Sequence, residues 1–399
     1  MSEWKETDFG KIPINWEVST LGNVCQLLTD GSHLSPKPIA SGYYMASVKD
    51  MRYNHFDFSD CKTISKQDFD FLIKNNCSPK YRDLLLSKDG ANCLDIIFVY
   101  RQEQEIVLLS SIAIARLKDG YNPDFYRYFL LSPNVQDIMR NNYVSGSAIP
   151  RVILKDFRNV PVPVVNYNIQ TAIAEILSSL DDKIDLLHRQ NKTLEQLAET
   201  LFRQWFEEEA EESWEVGTIA DEFDFVMGQS PLGVTLNENQ DGMIFFQGRT
   251  DFGYRFPTPR VYTTDPIRLA RRFDTLVSVR APVGDMNMSS DDCCLGRGVA
   301  AFRYEPDNSF YSYTYYKMRS LMGQIKQFED SGTVFGSIGK DDFKELESVI
   351  PPRKLVEEFQ NKTKSFDDKI YSNTTQIRTL TQLRDTLLPK LMSGEVRVN

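Results

Sequence analysis

The sequence lacks the features of a metal-binding, secreted or membrane-spanning protein. Its 399 residues include six cysteines and three histidines, and no two cysteines show the Cys-x-x-Cys spacing of zinc ligands. We therefore expect no zinc site, and a reducing cytoplasm as the compartment. The start of the chain, Met1–Lys5, has no apolar signal-peptide core, and no apolar run is long enough to cross a bilayer, so no membrane partner is expected.

Familiar catalytic motifs are missing as well. The sequence contains no phosphate-binding loop (Gly-x-x-x-x-Gly-Lys-Ser/Thr), no Gly-x-Gly-x-x-Gly turn, no His-Glu-x-x-His and no Gly-x-Ser-x-Gly. The triplet Asp181-Asp182-Lys183 recurs as Asp367-Asp368-Lys369 and superficially resembles part of a metal-dependent nuclease site. Because each triplet lies on a predicted helix beside apolar positions, we favour ion pairs and a solvated face over metal-dependent cleavage.

The charge of the chain is acidic and uneven. The formal net charge is −10, and half of this excess lies in residues 207–212, which include five glutamates. An acidic chain does not coat nucleic acid non-specifically, but it can bind a specific DNA sequence through a local basic face.

A long internal repeat organises the chain. Residues Ser145–Phe206 recur at Ser331–Met392 with a constant shift of 186 positions and no gap. Within this stretch, Asp181-Asp182-Lys183-Ile184 returns as Asp367-Asp368-Lys369-Ile370. A constant shift over some sixty positions indicates a structural unit that is used twice.

Each copy of the repeat is predicted to form a long helix. Apolar residues recur at steps of three and four, as in a coiled-coil seam of about four heptads. The seam residues are Leu177, Leu180, Ile184, Leu187, Asn191, Leu194, Ala198, Leu201 and Trp205 in the first copy, and Phe366, Ile370, Asn373, Ile377, Leu380, Arg384, Leu387 and Leu391 in the second. A helix of roughly 38 residues is about 57 Å long. We expect the two helices to pack antiparallel on each other; the alternative is that each stripe packs on its own globular domain.

Asn191 and Asn373 interrupt the apolar seams. If they face each other in an antiparallel pair, Leu187 faces Ile377, so one register buries amide against amide and apolar against apolar. A slip by one heptad would set each amide against hydrocarbon, at a cost of roughly 1–3 kcal/mol apiece. We therefore predict that the asparagines set the register. The alternative is that each asparagine lies at the edge of the seam and bonds water.

The repeat and the residues between its copies predict an α+β protein with a pseudo-twofold internal repeat, in which two long antiparallel helices separate two globular domains. Trp16-Glu17-Val18 returns as Trp214-Glu215-Val216 at a shift of 198, but the globular parts show hardly any other likeness. Unlike domains on a shared frame favour one partner for the frame and two targets for the domains. We place the four regions at 1–150, 151–212, 213–335 and 336–399.

Each globular domain is predicted to mix short strands with a helix. Runs of β-branched and aromatic residues, bounded by Gly, Asn, Asp or charged stretches, indicate the strands. The strands are expected at 43–48, 96–100, 106–109, 243–246, 275–279 and 299–302, and the helices at 123–139 and 311–327.

An arginine-rich stretch in the second domain is the strongest candidate binding surface. Nine arginines and no lysine lie from Arg249 to Arg303. The arginine fork suits guanine edges and phosphates, although we expect about half of these arginines to pair with nearby aspartates. The candidate DNA-contacting residues are Ser32, His33, Lys37, Lys49 and Arg52 in the first domain, and Gln229, Ser230, Gln247, Arg249, Arg280 and Arg297 in the second.

Several short motifs agree with one known family. Val160–Pro163 is followed by Leu177–Ile184 in the first copy, Phe366–Ile370 lies in the second, and Asp30–His33 and Ser278–Asp285 lie in the globular domains. With these motifs the chain resembles, over essentially its whole length, the specificity subunits of type I restriction-modification systems. The helical tracts resemble the central and distal conserved regions of that family, and the other two motifs resemble two classes of target-recognition domain.

The resemblance implies a chain without an active site or a cofactor of its own. Such a subunit holds two copies of an adenine-specific methyltransferase subunit, which binds S-adenosylmethionine, on double-stranded DNA. Each target-recognition domain reads one half of an asymmetric, bipartite site. Endonuclease subunits that use ATP and Mg²⁺ to translocate DNA join the same assembly. Pro389, where the first helix has Arg203, departs from the repeat and weakens the prediction of a last helical turn there.

Two other interpretations stay open at this point. A nuclease that uses the Asp-Asp-Lys triplets would cleave DNA with magnesium and no other subunit. A coiled-coil adaptor that reads no DNA would leave a footprint without sequence preference, even beside a methyltransferase.

Overall fold

The computed structural model describes residues 4–146, 148–329 and 336–398. Ser331-Gly332, at the start of the second repeat copy, and residues 1–3 lie outside the described residues. The chain forms two compact units: unit 1 comprises Met1–Lys183 and Leu380–Asn399, and unit 2 comprises Ile184–Thr379. Each unit contains one globular domain and part of both long helices. No helix in the described ranges has an apolar stretch long enough to cross a membrane.

Unit 1 mixes short strands with helices. Its strands are β1 (Trp4–Thr7), β2 (Gly10–Pro13), β3 (Glu17–Thr20), β4 (Cys25–Asp30), β5 (Tyr43–Ala46), β6 (Lys62–Ile64), β7 (Leu84–Ser87), β8 (Ile97–Val99), β9 (Val107–Leu108), β10 (Ile112–Leu117), β11 (Val144–Ser145), β12 (Arg151–Val152) and β13 (Pro161–Val164). Its helices are α1 (Leu21–Val24), α2 (Lys66–Lys74), α3 (Pro123–Leu131), α4 (Pro133–Tyr143), α5 (Leu154–Asn159) and the first part of α6 (Tyr167–Arg203).

The main sheet of unit 1 is antiparallel, with the strand order β4-β10-β7-β8. Alternate residues of β10 point to opposite faces: Ala113 and Ala115 belong to one apolar cluster, and Ile112 and Ile114 to another. This sheet is therefore buried on both faces. A second sheet has the order β6-β5-β9, in which β5 pairs antiparallel with β6 and parallel with β9.

Unit 2 has the same kinds of elements. Its strands are β14 (Glu215–Thr218), β15 (Phe223–Met227), β16 (Leu236–Asn237), β17 (Met243–Phe246), β18 (Val261–Thr263), β19 (Leu269–Ala270), β20 (Thr275–Ser278), β21 (Met286–Met288), β22 (Cys293–Leu295), β23 (Val299–Tyr304) and β24 (Glu347–Ile350). Its helices are α7 (Ile219–Glu222), α8 (Tyr311–Ser320), α9 (Met322–Lys326), α10 (Lys340–Glu345) and most of α11 (Arg353–Met392).

The two globular domains share one topology, although their sequences predict dissimilar domains. The antiparallel sheet of unit 2 has the order β15-β23-β20-β21, which matches β4-β10-β7-β8 strand for strand. In its second sheet, β17 pairs antiparallel with β18 and parallel with β22, as β5 does with β6 and β9. The prediction of dissimilar domains is therefore wrong at the level of the fold, because backbone pairing can be the same where few side chains are.

One buried ion pair marks the equivalence of the sheets. Arg116 donates two hydrogen bonds to Asp83 in unit 1, at 2.9 and 2.6 Å, and Arg303 donates to Asp274 in unit 2, at 3.1 and 2.5 Å. The same carboxylates accept from backbone N–H groups three residues earlier, those of Lys80 and Arg271, both at 2.7 Å. In each unit, one aspartate thus fixes the start of a central strand.

Both predicted domain helices are interrupted. The helix expected at 123–139 breaks between α3 and α4, where Pro133 begins the new helix because proline cannot donate within a helix interior. The helix expected at 311–327 breaks at Leu321 into α8 and α9, followed by the 3₁₀ turn Gln327–Glu329.

The long helices α6 and α11 are antiparallel, as predicted. In unit 2, Asn191 of α6 contacts Asn373 of α11, while the later Phe202 and Phe206 pack on the earlier Phe359. Helix α11 continues through Pro389 to Met392, so the expected weakness there does not end the helix. Proline removes one N–H donor, but Ser393 N–H still donates to Pro389 C=O at 2.9 Å.

The buried residues of the long helices include residues outside the predicted seams. Among predicted seam residues, Leu177, Leu187, Asn191, Ala198, Ile370, Asn373 and Leu391 are buried, and Leu180, Ile184, Leu194, Leu201, Trp205, Phe366, Ile377, Leu380, Arg384 and Leu387 are partly buried. Phe202 and Phe206 are also buried, and both contact Tyr313 of the globular domain. In unit 2, helix α6 therefore packs both on its partner helix and on the globular domain of that unit.

Candidate nucleic-acid interface

A concave surface lies at one end of the main sheet of unit 2. It has a volume of about 590 Å³ and forms where β15 and β20 end and β23 begins. Its lining residues are Met227, Gly228, Val279, Arg280, Ala281, Arg297, Gly336, Ser337, Ile338 and Gly339. We call this surface the arginine groove because Arg280 and Arg297, predicted from the sequence as DNA contacts, both line it and are both exposed.

The backbone around the arginine groove is held in place. Arg280 forms an antiparallel β-bridge with Ser337, and the backbone N–H of Arg297 donates to the Ser230 hydroxyl at 3.3 Å. Gly228 is required sterically, since an added Cβ would overlap the carbonyl oxygen of Gly296. The arginine side chains thus extend from a fixed rim.

Within the described ranges, four of the nine arginines pair with acidic residues and five do not, which is close to the expected half. Arg249, Arg255, Arg260 and Arg303 form ion pairs with acidic side chains. Arg268, Arg271, Arg272, Arg280 and Arg297 are exposed, and none has a side-chain ion pair within the described ranges. Arg272 instead lies over the rings of Phe273 and Tyr371. The unpaired guanidinium groups are those free to take an anionic or base partner.

The remaining predicted contacts of unit 2 lie on neighbouring loops. Gln229 is exposed and follows β15, with Ser230 partly buried beside it. Gln247 is exposed and precedes the 3₁₀ turn Arg249–Asp251, whose Asp251 accepts from the Gln247 N–H at 2.8 Å. Gln247 also accepts from Gly298 N–H at 3.2 Å, so its backbone contacts the segment that carries Arg297.

The predicted contacts of unit 1 form two groups at equivalent loops. Ser32, His33 and Lys37 follow β4, as Gln229 follows β15; the Ser32 hydroxyl bonds to Leu34, and His33 is exposed beside Asp30 at 3.5 Å. Lys49 and Arg52 lie at the 3₁₀ turn Val48–Asp50, the counterpart of Arg249–Asp251, and Arg52 pairs with Asp57 at 2.9 Å. Across the described residues, no hydrogen bond joins the two groups.

Sequence reasoning missed the unit 1 counterpart of Arg280. Lys88 and Asp89 follow β7 as Val279 and Arg280 follow β20, and Asp89 forms a β-bridge with Arg151. Arg151 Nε lies 3.1 Å from Asp89, and Lys88 Nζ lies 3.7 Å from Asp89. The sequence repeat could have identified Arg151, since the shift of 186 aligns it with Ser337, a residue of the arginine groove.

The two seam asparagines of unit 2 face each other, as predicted. Asn373 Nδ2 donates to Asn191 Oδ1 at 2.9 Å and also approaches Gln190 Oε1 at 3.3 Å. Asn191 Nδ2 donates to Thr374 Oγ1 at 3.5 Å. Both asparagines are at most 1% exposed, so the alternative of asparagines that bond water at the edge of the seam is wrong.

Comparison with known proteins identifies the family. The sequence model described as the type I restriction modification DNA specificity domain matches residues 13–196. A putative type I restriction enzyme MjaX specificity subunit of Methanocaldococcus jannaschii is 25% identical, with 99% of this chain and 97% of the relative covered. The type I restriction enzyme HindI specificity subunit of Haemophilus influenzae is 20% identical, with 96% of this chain and 100% of the relative covered. Residues 13–196 thus match that family, and nearly the whole chain is similar to type I restriction enzyme specificity subunits.

The fold is similar to that of a solved relative. The crystal structure of a type I restriction-modification S subunit from M. genitalium has a TM-score of 0.64 to this protein at 18% identity, covering 95% of this chain and 96% of that one. Specificity subunits are the non-catalytic components of type I restriction-modification systems. The Asp-Asp-Lys triplets of this chain therefore need a structural explanation.

The first aspartate of each triplet is a buried ion-pair partner. Asp181 accepts hydrogen bonds from Arg127 at 3.1 Å, Arg384 at 3.0 Å, and the Tyr53 and Tyr128 hydroxyls, both at 2.8 Å. Burial alone would raise the pKa of Asp181, but Arg127 and the other donors outweigh burial and hold this pKa below its usual value. In unit 2, Asp367 pairs with the fully buried Arg255. The aspartates thus attach the long helices to the globular domains.

Proposed function

We propose that this specificity subunit reads a bipartite, asymmetric site in double-stranded DNA, with one half-site contacted by the globular domain of each unit. Its long helices hold two methyltransferase subunits, which bring S-adenosylmethionine for adenine methylation. Endonuclease and translocase subunits, which use ATP and Mg²⁺, join the same assembly in the cytoplasm. The chain itself binds no cofactor. We retain the proposed division into recognition domains at 1–150 and 213–335, and helical regions at 151–212 and 336–399.

One observation carries this proposal: the same domain is built twice, with different side chains at the ends of equivalent strands. After β20 the chain presents Arg280, whereas after β7 it presents Asp89. A duplicated scaffold with unlike loop residues suits a protein that recognises two different short sequences. The names of the relatives, specificity subunits of type I restriction enzymes, support the same function for this chain.

The arginine groove supports DNA reading by unit 2. Arg280 and Arg297 are exposed and have no acidic partner in the described part of the chain. Arginine can donate two hydrogen bonds to O6 and N7 of guanine in the major groove, and it also binds phosphates. We propose base or phosphate contacts for these two residues, with Gln229, Ser230, Gln247 and Arg249 beside them. In unit 1 the proposed contacts are Ser32, His33, Lys37, Lys49 and Arg52.

The seam supports a second part of the proposal, a fixed spacer between the half-sites. A buried amide pair between α6 and α11 disfavours helix slippage because slippage would leave both amides unsatisfied. We propose that Asn191 and Asn373 fix the helix register, and through it the number of base pairs between the half-sites.

Methylome sequencing tests this function. The chain is expressed with a methyltransferase subunit of a type I system in a host without other DNA methylation, and methylated adenines are mapped. The expected result is one bipartite motif with a fixed spacer. Two outcomes would contradict the proposal: DNA binding without sequence preference, as expected of an adaptor, or cleavage of DNA by the purified chain with Mg²⁺ alone.

A further inference from the structure

Each globular domain carries the same β-bridge at the end of a central strand. In unit 1, Asp89 after β7 bridges Arg151; in unit 2, Arg280 after β20 bridges Ser337. The adjoining backbone hydrogen bonds match, from Val152 N–H to Lys88 C=O at 2.9 Å and from Ile338 N–H to Val279 C=O at 3.1 Å. The two bridges are therefore equivalent positions of one scaffold.

The turns that lead into the bridges are held in the same way. The Ser87 hydroxyl donates to Asn92 C=O at 2.7 Å and accepts from Ile96 N–H at 3.1 Å. The Ser278 hydroxyl donates to Pro282 C=O at 2.8 Å and accepts from Asp285 N–H at 2.9 Å. The backbone next to the bridge is thus held by matching hydrogen bonds, although the turn of unit 1 is two residues longer, and the side chains at the bridge differ.

Each bridge presents one arginine, but from opposite strands. In unit 2 the arginine is Arg280, on the segment leaving β20, and it faces a serine. In unit 1 it is Arg151, on the opposing strand β12, and it faces Asp89. The Arg151 side chain is 57% exposed, whereas that of Asp89 is 15% exposed, so the arginine extends outward from its carboxylate.

The pairing of Arg151 leaves part of its donor fork available. Asp89 Oδ1 binds Nε at 3.1 Å, and no hydrogen bond from Nη1 or Nη2 is made to the residues that the structure describes. A guanidinium held at one nitrogen loses less freedom when its other nitrogens bind a planar partner. Two parallel donors fit the O6 and N7 acceptors of guanine.

The different charges of the two bridges favour a base over a phosphate as the partner of these arginines. Phosphate contacts position a protein on DNA and carry no sequence information, so equivalent positions of two equivalent domains would both have to attract an anion. In unit 1, however, the residue after the central strand is Asp89, whose carboxylate pairs with Arg151, so a phosphate is attracted less strongly there than at Arg280. The two arginines also extend from opposite strands of the bridge, so they can reach different positions of their half-sites even where each meets a guanine.

We propose that Arg151, positioned by Asp89, reads a guanine in the half-site of unit 1, and that Arg280 reads a guanine in the half-site of unit 2. The inference rests on the proposed DNA-reading function. It adds Arg151 as a specificity-determining residue and Asp89 as the residue that positions it.

Duplexes with 7-deazaguanine test the inference at the level of one atom, because this base pairs normally but lacks the N7 acceptor. The full chain is assembled with its methyltransferase subunits, and each guanine of the mapped motif is replaced in turn. With wild type, one replacement in each half-site should weaken binding about tenfold. With Arg151→Ala, the replacement in the half-site of unit 1 should have no further effect, while the replacement in the other half-site keeps its full effect.

The second half-site shows that the Arg151→Ala assembly is folded, and Arg280→Ala should give the reciprocal pattern. Arg151→Met keeps the length of the side chain but has no donor, so it should lose sensitivity to 7-deazaguanine in the half-site of unit 1; retained sensitivity would overturn the inference. Asp89→Asn should reduce the same sensitivity about threefold, since it weakens positioning and leaves the donors in place.

Arg101 provides the matched control. It pairs with Asp124 at 2.5 Å, with side-chain exposures of 49% and 14%, close to those of Arg151 and Asp89, but it follows β8 at the other end of the sheet. Arg101→Ala should behave as wild type. A half-site without guanine, or Arg151→Ala with wild-type sensitivity, overturns the inference alone. A wild-type assembly that methylates no defined motif would overturn the proposed function itself.

Discussion

Unit 1 and unit 2 contain the same sheets, yet they share few side chains. The positions that agree are those where the backbone needs one chemistry: Gly31 and Gly228, where an added Cβ would overlap a carbonyl group, and the aspartates Asp83 and Asp274, which fix a strand start. The positions that differ are at exposed loop ends. A small number of buried polar contacts can thus preserve a fold while its recognition surface changes.

The largest expected effect comes from removing the shared aspartates. Asp83→Ala leaves the largely buried Arg116 without its carboxylate and should destabilise unit 1 by about 3–5 kcal/mol. Asp274→Ala should fall at the lower end of this range, because Arg303 also lies 3.7 Å from Asp224. Urea unfolding, with hydrogen exchange of the β7 and β20 amides to locate the loss, measures both effects.

The exposed pair of Arg52 and Asp57 is the control for these variants. Asp57→Ala removes an aspartate that is accessible to water, so it should change the free energy of unfolding much less than Asp83→Ala does. If Asp83→Ala or Asp274→Ala cost no more than this control, the aspartates would not be equivalent structural anchors.

The buried amide pair of the helix seam is the next site at which a substitution should have a large effect. Asn373→Ala leaves Asn191 Oδ1 without its donor and should cost about 1–3 kcal/mol. The double variant Asn191→Leu with Asn373→Leu should recover stability but lose register, which would appear as methylated motifs with more than one spacer length.

Lys192 is exposed beside Asn191 and is the control position. Lys192→Ala should change the free energy of unfolding by no more than about 0.5 kcal/mol and should keep one spacer. A single spacer in the double leucine variant would show that the register is set elsewhere.

Lowering the pH should destabilise unit 1 through Asp181 and stabilise unit 2 through Glu222. The pKa of Asp181 is lowered in unit 1, so its stabilising contribution is present above its unfolded pKa of about 3.9 and is lost as the pH falls through its folded pKa. The pKa of Glu222 is raised by burial in unit 2, so taking up a proton there favours the folded state as the pH falls.

Unfolding measured across pH tests this difference. Asp181→Asn should be less stable than wild type at pH 7, because Arg127 and Arg384 lose a charged partner, and the deficit should shrink below about pH 4. Glu222→Gln should show the reverse trend, with its largest gain over wild type at neutral pH. A deficit of Asp181→Asn that is constant with pH would show that shape rather than charge matters at this site.

Much of the frame could be predicted from the sequence, because helix periodicity is a local signal. The steps of three and four placed both long helices, and Asn191 and Asn373 gave the register by their spacing alone. The Asp181 ion pair could not be predicted in this way, since Arg127 is 54 residues distant in sequence. A charged residue on a helix gives no local signal of a distant partner.

The recognition loops were predicted in part for a similar reason. In unit 2, arginines among glycines stood out by composition. In unit 1, the equivalent bridge carries Asp89 and Arg151, which are separated by 62 residues and belong to no cluster. The likeness of the two domains lies in backbone hydrogen bonds, such as Gly31 N–H to Ile112 C=O and Gly228 N–H to Val299 C=O, which leave little trace in side-chain identity.

The smallest expected effect on stability, and the sharpest test of the comparison, is at Arg297. The carbonyl groups of Leu108 and Ile112 in unit 1 accept the same backbone hydrogen bonds as those of Leu295 and Val299 in unit 2. Arg297, midway between the second pair, therefore corresponds to Ser110, midway between the first. Arg297→Ser therefore gives unit 2 the residue that unit 1 carries. Because the Arg297 side chain is exposed and has no ion pair in the described ranges, the free energy of unfolding should change by no more than about 0.5 kcal/mol.

The same substitution should still change what the assembly recognises. If Arg297 contacts a base, preference at one position of the half-site of unit 2 should relax by about 1–3 kcal/mol, while the other half-site stays as in wild type. If it contacts a phosphate, methylation should weaken equally on all sequences, and the dependence of binding on salt should become shallower. Ser110→Ala is the matched control and should leave both half-sites unchanged. An Arg297→Ser variant with wild-type activity, motif and salt dependence would remove Arg297 from the interface and leave Arg280 as the arginine of the groove that reads DNA.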